Sequence, residues 1–309
     1  MREELAEQLI HALQQDGRAS YNELAARLDA PRNLVSTTVR RLLSTGQLRI
    51  VATAAHSAAG HHVLAHAAIR CTPHAHGVIG PLMAREDVPL VSAVTGAHDV
   101  VAELRAPDVA SLHEVLRSIR AHPEVATTAV TLYHRVVKSA FSTHPSGDGT
   151  LDRTDIALFE LLRSDGRMSF NDLAARIRLS PTAVRTRIRR MQEAGLLRVS
   201  ALIPHTPQSG RVKVGVGLSL SGDDAEAVET IVAMPEVEFA AEALGRFDLI
   251  ATLNSSDPAE IAGRLEDLRA LPQVRHMETW MHVRTHKEDY SEPMAGRSVP
   301  PHPTDRTPQ

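Results

Sequence analysis

The stretch DGRASYNELAARL, residues 16–28, returns as DGRMSFNDLAARI at residues 165–177, an offset of 149 residues. The repeat extends well beyond these thirteen positions. With the same offset and no gap, the chain aligns from about Leu9–Lys138 onto Leu158–Lys287, with roughly a quarter of positions identical. Other positions exchange within type, as in Tyr21/Phe170, Leu28/Ile177 and Val39/Ile188. Late landmarks hold the register: His56/His205, Gly96/Gly245, Asp99/Asp248, Asp108/Asp257 and Pro123/Pro272. A unit of about 140 residues has been duplicated, which is too long for a solenoid repeat.

Within each unit the first fifty or so residues have helical periodicity. In copy two, Asp155, Leu158, Leu161 and Leu162 outline a helix with one apolar face, and Gly166 is placed to stop it. Ser169 caps the next helix, FNDLAARI, with Asp172 three residues on, close to a capping box. The LSP triplet breaks that helix, and Pro181 suits the first turn of a third, closed at Gly195. Residues 197–203 then read as a strand. In copy one, Ser20 caps the second helix and Asp16-Gly17-Arg18 closes the first. Three short helices and a strand make a winged helix-turn-helix.

The remainder of each unit reads strand, helix, strand, strand, helix, strand. In copy two these are VKVGVGLSL (212–220), DDAEAVETIVAM (223–234), VEFAAEAL (237–244), FDLIATLN (247–254), PAEIAGRLEDLRAL (258–271) and VRHMETWMHVRT (274–285). Copy one matches, with a weaker helix near 74–84. The order βαββαβ predicts a ferredoxin-like α+β sandwich, one antiparallel sheet with two helices on one face. The expected domains are 1–56 and 151–204 (winged helix-turn-helix), 60–140 and 210–287 (sandwich), 141–150 (small, polar linker) and 288–309 (Pro-rich disordered tail).

Composition limits the function classes. The chain has 309 residues and a formal net charge of −3, so no global basic field draws it to DNA. Aromatics at 3% are too few for the stacking platforms of a single-strand binder. A lone cysteine, Cys71, allows no internal disulfide or cysteine zinc site, and no run of about 18 apolar residues exists. A cytoplasmic protein with no membrane contact is expected. There is no Gly-rich phosphate loop, HExxH, GxSxG or CxxC, so no enzyme is expected.

Local charge is more informative. Residues 151–203 hold ten Arg against six acidic residues, and residues 1–55 hold seven against six. In the third helix of copy two, Val184, Ile188 and Met191 make the buried stripe. Thr182, Arg185, Thr186, Arg187, Arg189 and Arg190 lie outside it. A lone basic face is ordinary solvated surface, but after a capped helix and a tight turn, twice, it points to double-stranded DNA. The guanidinium fork reaches phosphates or the O6/N7 edge of guanine. Copy one offers Arg32, Asn33, Ser36, Thr37, Arg40 and Arg41, with Ser36 and Thr38 in place of Arg185 and Arg187. A weaker grip, or a different half-site, is expected of it.

The hairpins GAHD (96–99) and GRFD (245–248) suit a tight turn, glycine supplying positive φ and aspartate binding backbone. Their recurrence does not separate turn chemistry from ligand chemistry. Among the 17 histidines, His56, His61, His62, His66, His74 and His76 crowd the first sandwich. His62 and His66 share a strand face, but no third ligand completes a metal spacing, so no metal is expected.

The series DGRxSxNELAxRL, a V-x-x-R recognition helix, G-x-L and a βαββαβ domain with G-x-x-D resembles the Lrp/AsnC family of bacterial and archaeal feast/famine regulators. The resemblance covers about 5–138 and 152–287. It implies DNA binding tuned by a small effector, usually an amino acid, with no cofactor. It places effector contacts at Gly96, Asp99 and Thr128 in copy one, and at Gly245, Phe247, Asp248 and Thr279 in copy two. His98 departs from the aromatic that the family puts before the aspartate. Members dimerise through their sheets, so the fused chain is expected to be an internal pseudo-dimer that oligomerises further. The same architecture also resembles siroheme and haem d1 biosynthesis decarboxylases, for which His134, Arg135, His282 and Arg284 would be the candidates.

Overall fold

The computed structural model describes residues 2–56, 59–72, 77–139, 151–202, 210–222 and 224–290. Copy one opens with helices α1 (Arg2–Gln15), α2 (Tyr21–Arg27) and α3 (Arg32–Ser44) and strand β1 (Arg49–Ala54). Ser20 caps α2 in a full capping box: its hydroxyl accepts from the Glu23 amide at 3.2 Å, and the Glu23 carboxylate accepts from the Ser20 amide at 2.7 Å. The corresponding elements of copy two are α6 (Arg153–Ser164), α7 (Phe170–Ile177), α8 (Pro181–Glu193) and strand β6 (Leu197–Leu202). Ser180 caps α8, with Pro181 in its first turn.

Each of these strands takes its partner from the other copy. β1 runs antiparallel to β6 from Arg49↔Leu202 to Ala54↔Leu197. The two helical triads thereby share one core, in which Leu9, Leu13 and Val39 join Phe159, Leu162 and Ile188. The repeated DGR forms the seam. The Gly17 amide donates to Val199 O at 2.9 Å and the Gly166 amide to Ile50 O at 3.0 Å. Arg18 donates to Gly166 O and Met168 O, and Arg167 returns bonds to Gly17 O and Ala19 O. Each guanidinium also lies over the other copy's ring, Arg18 on Phe170 and Arg167 on Tyr21.

This corrects the expected role of the two glycines. Neither has positive φ, so they are not left-handed helix stops. They are glycine because a Cβ would stand 2.9 Å from Val199 O at Gly17, and 2.8 Å from Ile50 O at Gly166. Gly46 and Gly195, with φ of +70° and +66°, do provide the left-handed turns after α3 and α8.

The sandwich of copy one comprises β2 (Val63–Cys71), α4 (Ile79–Met83), β3 (Leu90–Val94), β4 (Val100–Ala106), α5 (Val109–Arg120) and β5 (Val125–Ser139). Copy two supplies β7 (Val212–Leu220), α9 (Ala225–Ala233), β8 (Val237–Leu244), β9 (Leu249–Ser255), α10 (Pro258–Ala270) and β10 (Val274–Glu288). Each sheet has ferredoxin-like order, β3-β4-β2-β5 and β8-β9-β7-β10. Pairing of β5 with β8 and of β10 with β3 closes them into one eight-stranded barrel. Closure removes all four sheet edges, the usual aggregation hazard. The period of two in each strand then divides the side chains. Val100, Ala102 and Leu104 pack outward under helices, as do Leu249, Ala251 and Leu253. Val101, Phe247, Ile250 and Trp280 cluster in the lumen.

Two expected boundaries shift. FDLIATLN yields a strand only from Leu249, because Phe247 and Asp248 belong to the turn. β10 continues to Glu288, and Tyr290 packs on Val51 of β1 and Leu202 of β6, so the body extends past the expected start of a tail at 288. The linker at 141–150, the tail from 291, and His74 and His76 lie outside the described residues.

Candidate nucleic-acid interface and effector site

The third helices present different chemistry. On α8, Thr182, Arg185, Thr186, Arg189 and Arg190 are exposed, while Arg187 is half-buried. Arg185 stacks on Phe170 at 4.9 Å, sharing that ring with Arg18 of the seam, so the seam also sets the direction of a reading arginine. Arg189 pairs with Glu193 one turn along, an exposed i,i+4 contact of little strength that leaves it open to a stronger anion.

Arg187 and Arg190 are held more firmly. Both pair with Asp155 of α6, whose side chain is completely buried. Arg187 Nη1 reaches Asp155 Oδ1 at 2.9 Å and Asp152 Oδ2 at 2.6 Å, while Arg190 binds Asp155 Oδ2. Burial alone would raise the Asp152 carboxyl, but the Arg187 hydrogen bond holds it below its ordinary value. The hydrogen bonds that Arg187 donates to the same two aspartates hold it above its own. Stripping a buried carboxylate of its partner costs about 3–5 kcal/mol, less here because Arg190 would remain. Arg187 is therefore a structural cation first, a role its position on the basic face concealed.

On α3, Arg32, Asn33, Thr37, Arg40 and Arg41 are exposed and Ser36 is half-buried. The Ser36 hydroxyl turns back to Asn33 O at 3.0 Å. Thr38 is buried with Val35, Val39 and Leu42, so it belongs to the packed side of the helix. Arg40 and Arg41 have no acidic partner among the described residues, and Arg41 reaches only Gln47 at 3.4 Å.

The hairpin glycines do have left-handed backbone, φ +107° at Gly96 and +127° at Gly245. The aspartates anchor each turn to the first strand of their own sheet. Asp99 Oδ2 accepts from the Cys71 amide at 2.7 Å, and Asp248 Oδ2 from the Leu220 amide at 2.8 Å. Across the barrel seams, Gly96 meets Thr279 O of copy two and Gly245 meets Val130 O of copy one. The structure thus brings Gly96 together with Thr279. Thr128 is two residues out of register with Thr279, whose counterpart is Val130, and the Thr128 hydroxyl is buried without a hydrogen bond among the described residues.

Phe247 turns into the lumen, 5% exposed, and its ring lies over Gly217 much as Trp280 lies over Gly215. His66 occupies the copy-one position of Gly215 and lies against Trp280, the rings tilted with centroids 5.2 Å apart. Burial lowers its pKa to about 4. His62 is exposed ahead of the strand, so the possible metal pair on one strand face is not formed. Sequence reasoning missed this lumen, because its glycines and histidine gain meaning only across the seam. Beyond it, Lys213 is buried between Glu288 at 2.6 Å and Glu238 at 3.7 Å. Burial pushes Glu103 up to about 7, beside Arg105, Tyr133 and Tyr290. Two cavities within the barrel, one beside Tyr133 and Tyr290 and one beside His98 and Trp280, measure about 10 Å³ each, room for no more than one water. The decarboxylase candidates do not converge. His282 lies in the lumen on Ser92, Arg135 is paired with Glu242, and His134 and Arg284 are exposed.

A winged helix-turn-helix DNA-binding model matches residues 2–49 and 151–198, and the Lrp/AsnC ligand-binding domain model matches 65–142 and 213–292. The chain belongs to the Lrp/AsnC family. Each half of this Lrp/AsnC protein carries both matches, as the repeat required. An uncharacterised HTH-type transcriptional regulator of Pyrococcus abyssi is 30% identical over 116 residues, 37% of this chain and 73% of that protein. The HTH-type transcriptional regulator LysM of Sulfurisphaera tokodaii is 24% identical over 124 residues, 40% of this chain and 89% of its own length. Among solved structures, the siroheme decarboxylase NirDL is similar over 92% of this chain and 93% of its own, with a TM-score of 0.62 and 17% identity. At that identity the similarity speaks to the fold, and the two-unit Lrp/AsnC layout is what the chains share.

Proposed function

We propose that this Lrp/AsnC protein is a cytoplasmic transcriptional regulator that grips two adjacent half-sites of duplex DNA with α3 and α8. A small effector, an amino acid, modulates that grip. The observation that carries the reading is the seam. Reciprocal backbone bonds and guanidinium stacking hold two reading helices on one rigid body, as one chain's version of a dimer. One body with two such helices calls for a paired site, for which half-sites about one helical turn apart are expected.

Because these two cavities hold no more than a water, the effector is assigned to the hairpins at the barrel seams. There Gly96 meets Thr279 and Gly245 meets the Val130 strand. Each such site draws on both copies, and further self-association of the chain would wall it in. No cofactor or catalytic role is assigned. No helix among the described residues is long and apolar enough to cross a membrane.

The test is a gel shift on the DNA upstream of the chain's own gene, with and without pooled amino acids. A shift that salt weakens and amino acids modulate supports the reading. A purified chain with a visible tetrapyrrole band and no shift would replace it with the decarboxylase reading.

A further inference from the structure

Two places on the helix-turn-helix body differ together between the copies. Copy two has Asp155 on α6 facing Arg187 and Arg190 on α8. At the equivalent positions copy one has Ala6 on α1 and Thr38 on α3, both buried, with Arg41 matching Arg190. A buried aspartate opposite a threonine would keep one of its two cations, and an arginine opposite an alanine would keep only the exposed Asp152, so either half of the change alone weakens the cluster. The paired change keeps each copy internally satisfied. It also alters the outward charge, since one solution ties two guanidiniums to the scaffold and the other leaves Arg41 in solvent.

We propose that Asp155 is a positioning residue that sets how the second half-site is read. It holds Arg187 and Arg190 back against α6, so copy two meets DNA through Thr182, Arg185, Thr186 and Arg189, while copy one also commits its exposed Arg41. This rests on the DNA-binding reading above. The asymmetry of the two half-sites then arises in the scaffold behind the helix as well as on its surface. Base contacts specify only where the side chains that make them are held in register.

The chain itself provides the control. Asp155→Ala with Arg187→Thr installs the combination that copy one already folds with. The measurement is the affinity of the full chain for its own upstream duplex and for an unrelated duplex, between about 50 and 200 mM salt. The freed Arg190 is expected to add one phosphate contact. That steepens the log–log salt slope by about 0.9 and narrows the preference for the upstream duplex. An unchanged slope, or one shallower by about 0.9 as the loss of a true Arg187 contact would give, overturns the proposal. Arg187→Gln with Asp155 intact guards against poor folding of the double variant, because glutamine still donates to the carboxylate. Its slope should match the unmodified chain, and a fall would equally overturn the proposal. An unmodified chain that shifts neither duplex overturns the regulator reading itself, a distinct result.

Discussion

The seam and the reading faces of the helix-turn-helix body have diverged to different extents. At the seam, Asp-Gly-Arg is kept in both copies, each glycine pressed against the other copy's strand and each arginine over the other copy's ring. On the reading faces, Arg185 stands at the position that Ser36 holds in copy one. Contacts that the copies make with each other constrain both partners, whereas outward residues answer only to what they touch. Duplication has therefore held the shared seam fixed and let each copy change on and behind its reading helix.

Breaking the shared part should have the largest effect. Gly166→Val puts side-chain atoms where a backbone oxygen stands 2.8 Å from the Cβ position. It should cost about 3 kcal/mol or more in urea denaturation, with Gly17→Val close behind. A loss under about 1 kcal/mol at both positions would mean that the two bodies do not meet through these turns.

The barrel lumen sharpens the same contrast through pH. Glu103 and His66 belong to copy one, and their counterparts Thr252 and Gly215 do not titrate. Glu103 is raised from 4.5 to about 7, so the folded state binds the extra proton in that interval. Its contribution is complete below pH 4.5 and is lost as pH rises through about 7, up to about 3 kcal/mol. His66 is lowered from 6.5 to about 4 and acts oppositely, its contribution being lost as pH falls through that window. Glu103→Gln should reduce the alkaline loss, leaving what the raised Glu288 contributes, and make stability rise more steeply from pH 4 to 6.5. Thermal melts across pH check this, and a variant that loses as much stability as the unmodified chain as pH rises through 7 would refute it.

The capping serines should differ least. Ser20→Ala removes one side of a complete capping box and should cost about 1 kcal/mol. Ser169→Ala should cost somewhat less, because the Asp172 carboxylate binds the Ser169 hydroxyl instead of closing the box on its amide. Equal losses in matched denaturation curves would erase that distinction.

Much of this was legible in the linear pattern. The self-alignment at 149 residues, the capping serines and the βαββαβ order led to the right elements, with VKVGVGLSL and VEFAAEAL forming strands of the expected extent. What was not legible depended on partners distant in sequence. Gly17 looked like a helix stop because its reason for being glycine, Val199 O, lies 182 residues away. Arg187 looked like a DNA contact because the periodicity of α8 does not show the buried Asp155 behind it. Thr128, by contrast, was legible as a mismatch, since the 149-residue offset already pairs Thr279 with Val130 and the strand register agrees.

The central claim is one chain with two unlike reading helices on a common body. A nuclease footprint on the upstream DNA tests it directly, comparing the unmodified chain with Arg40→Ala/Arg41→Ala and with Arg185→Ala/Arg189→Ala. The expected result is an asymmetric protected pair, from which the first variant clears one half and the second clears the other. Equal fading of both halves in both variants, or a symmetric footprint untouched by either, would contradict it.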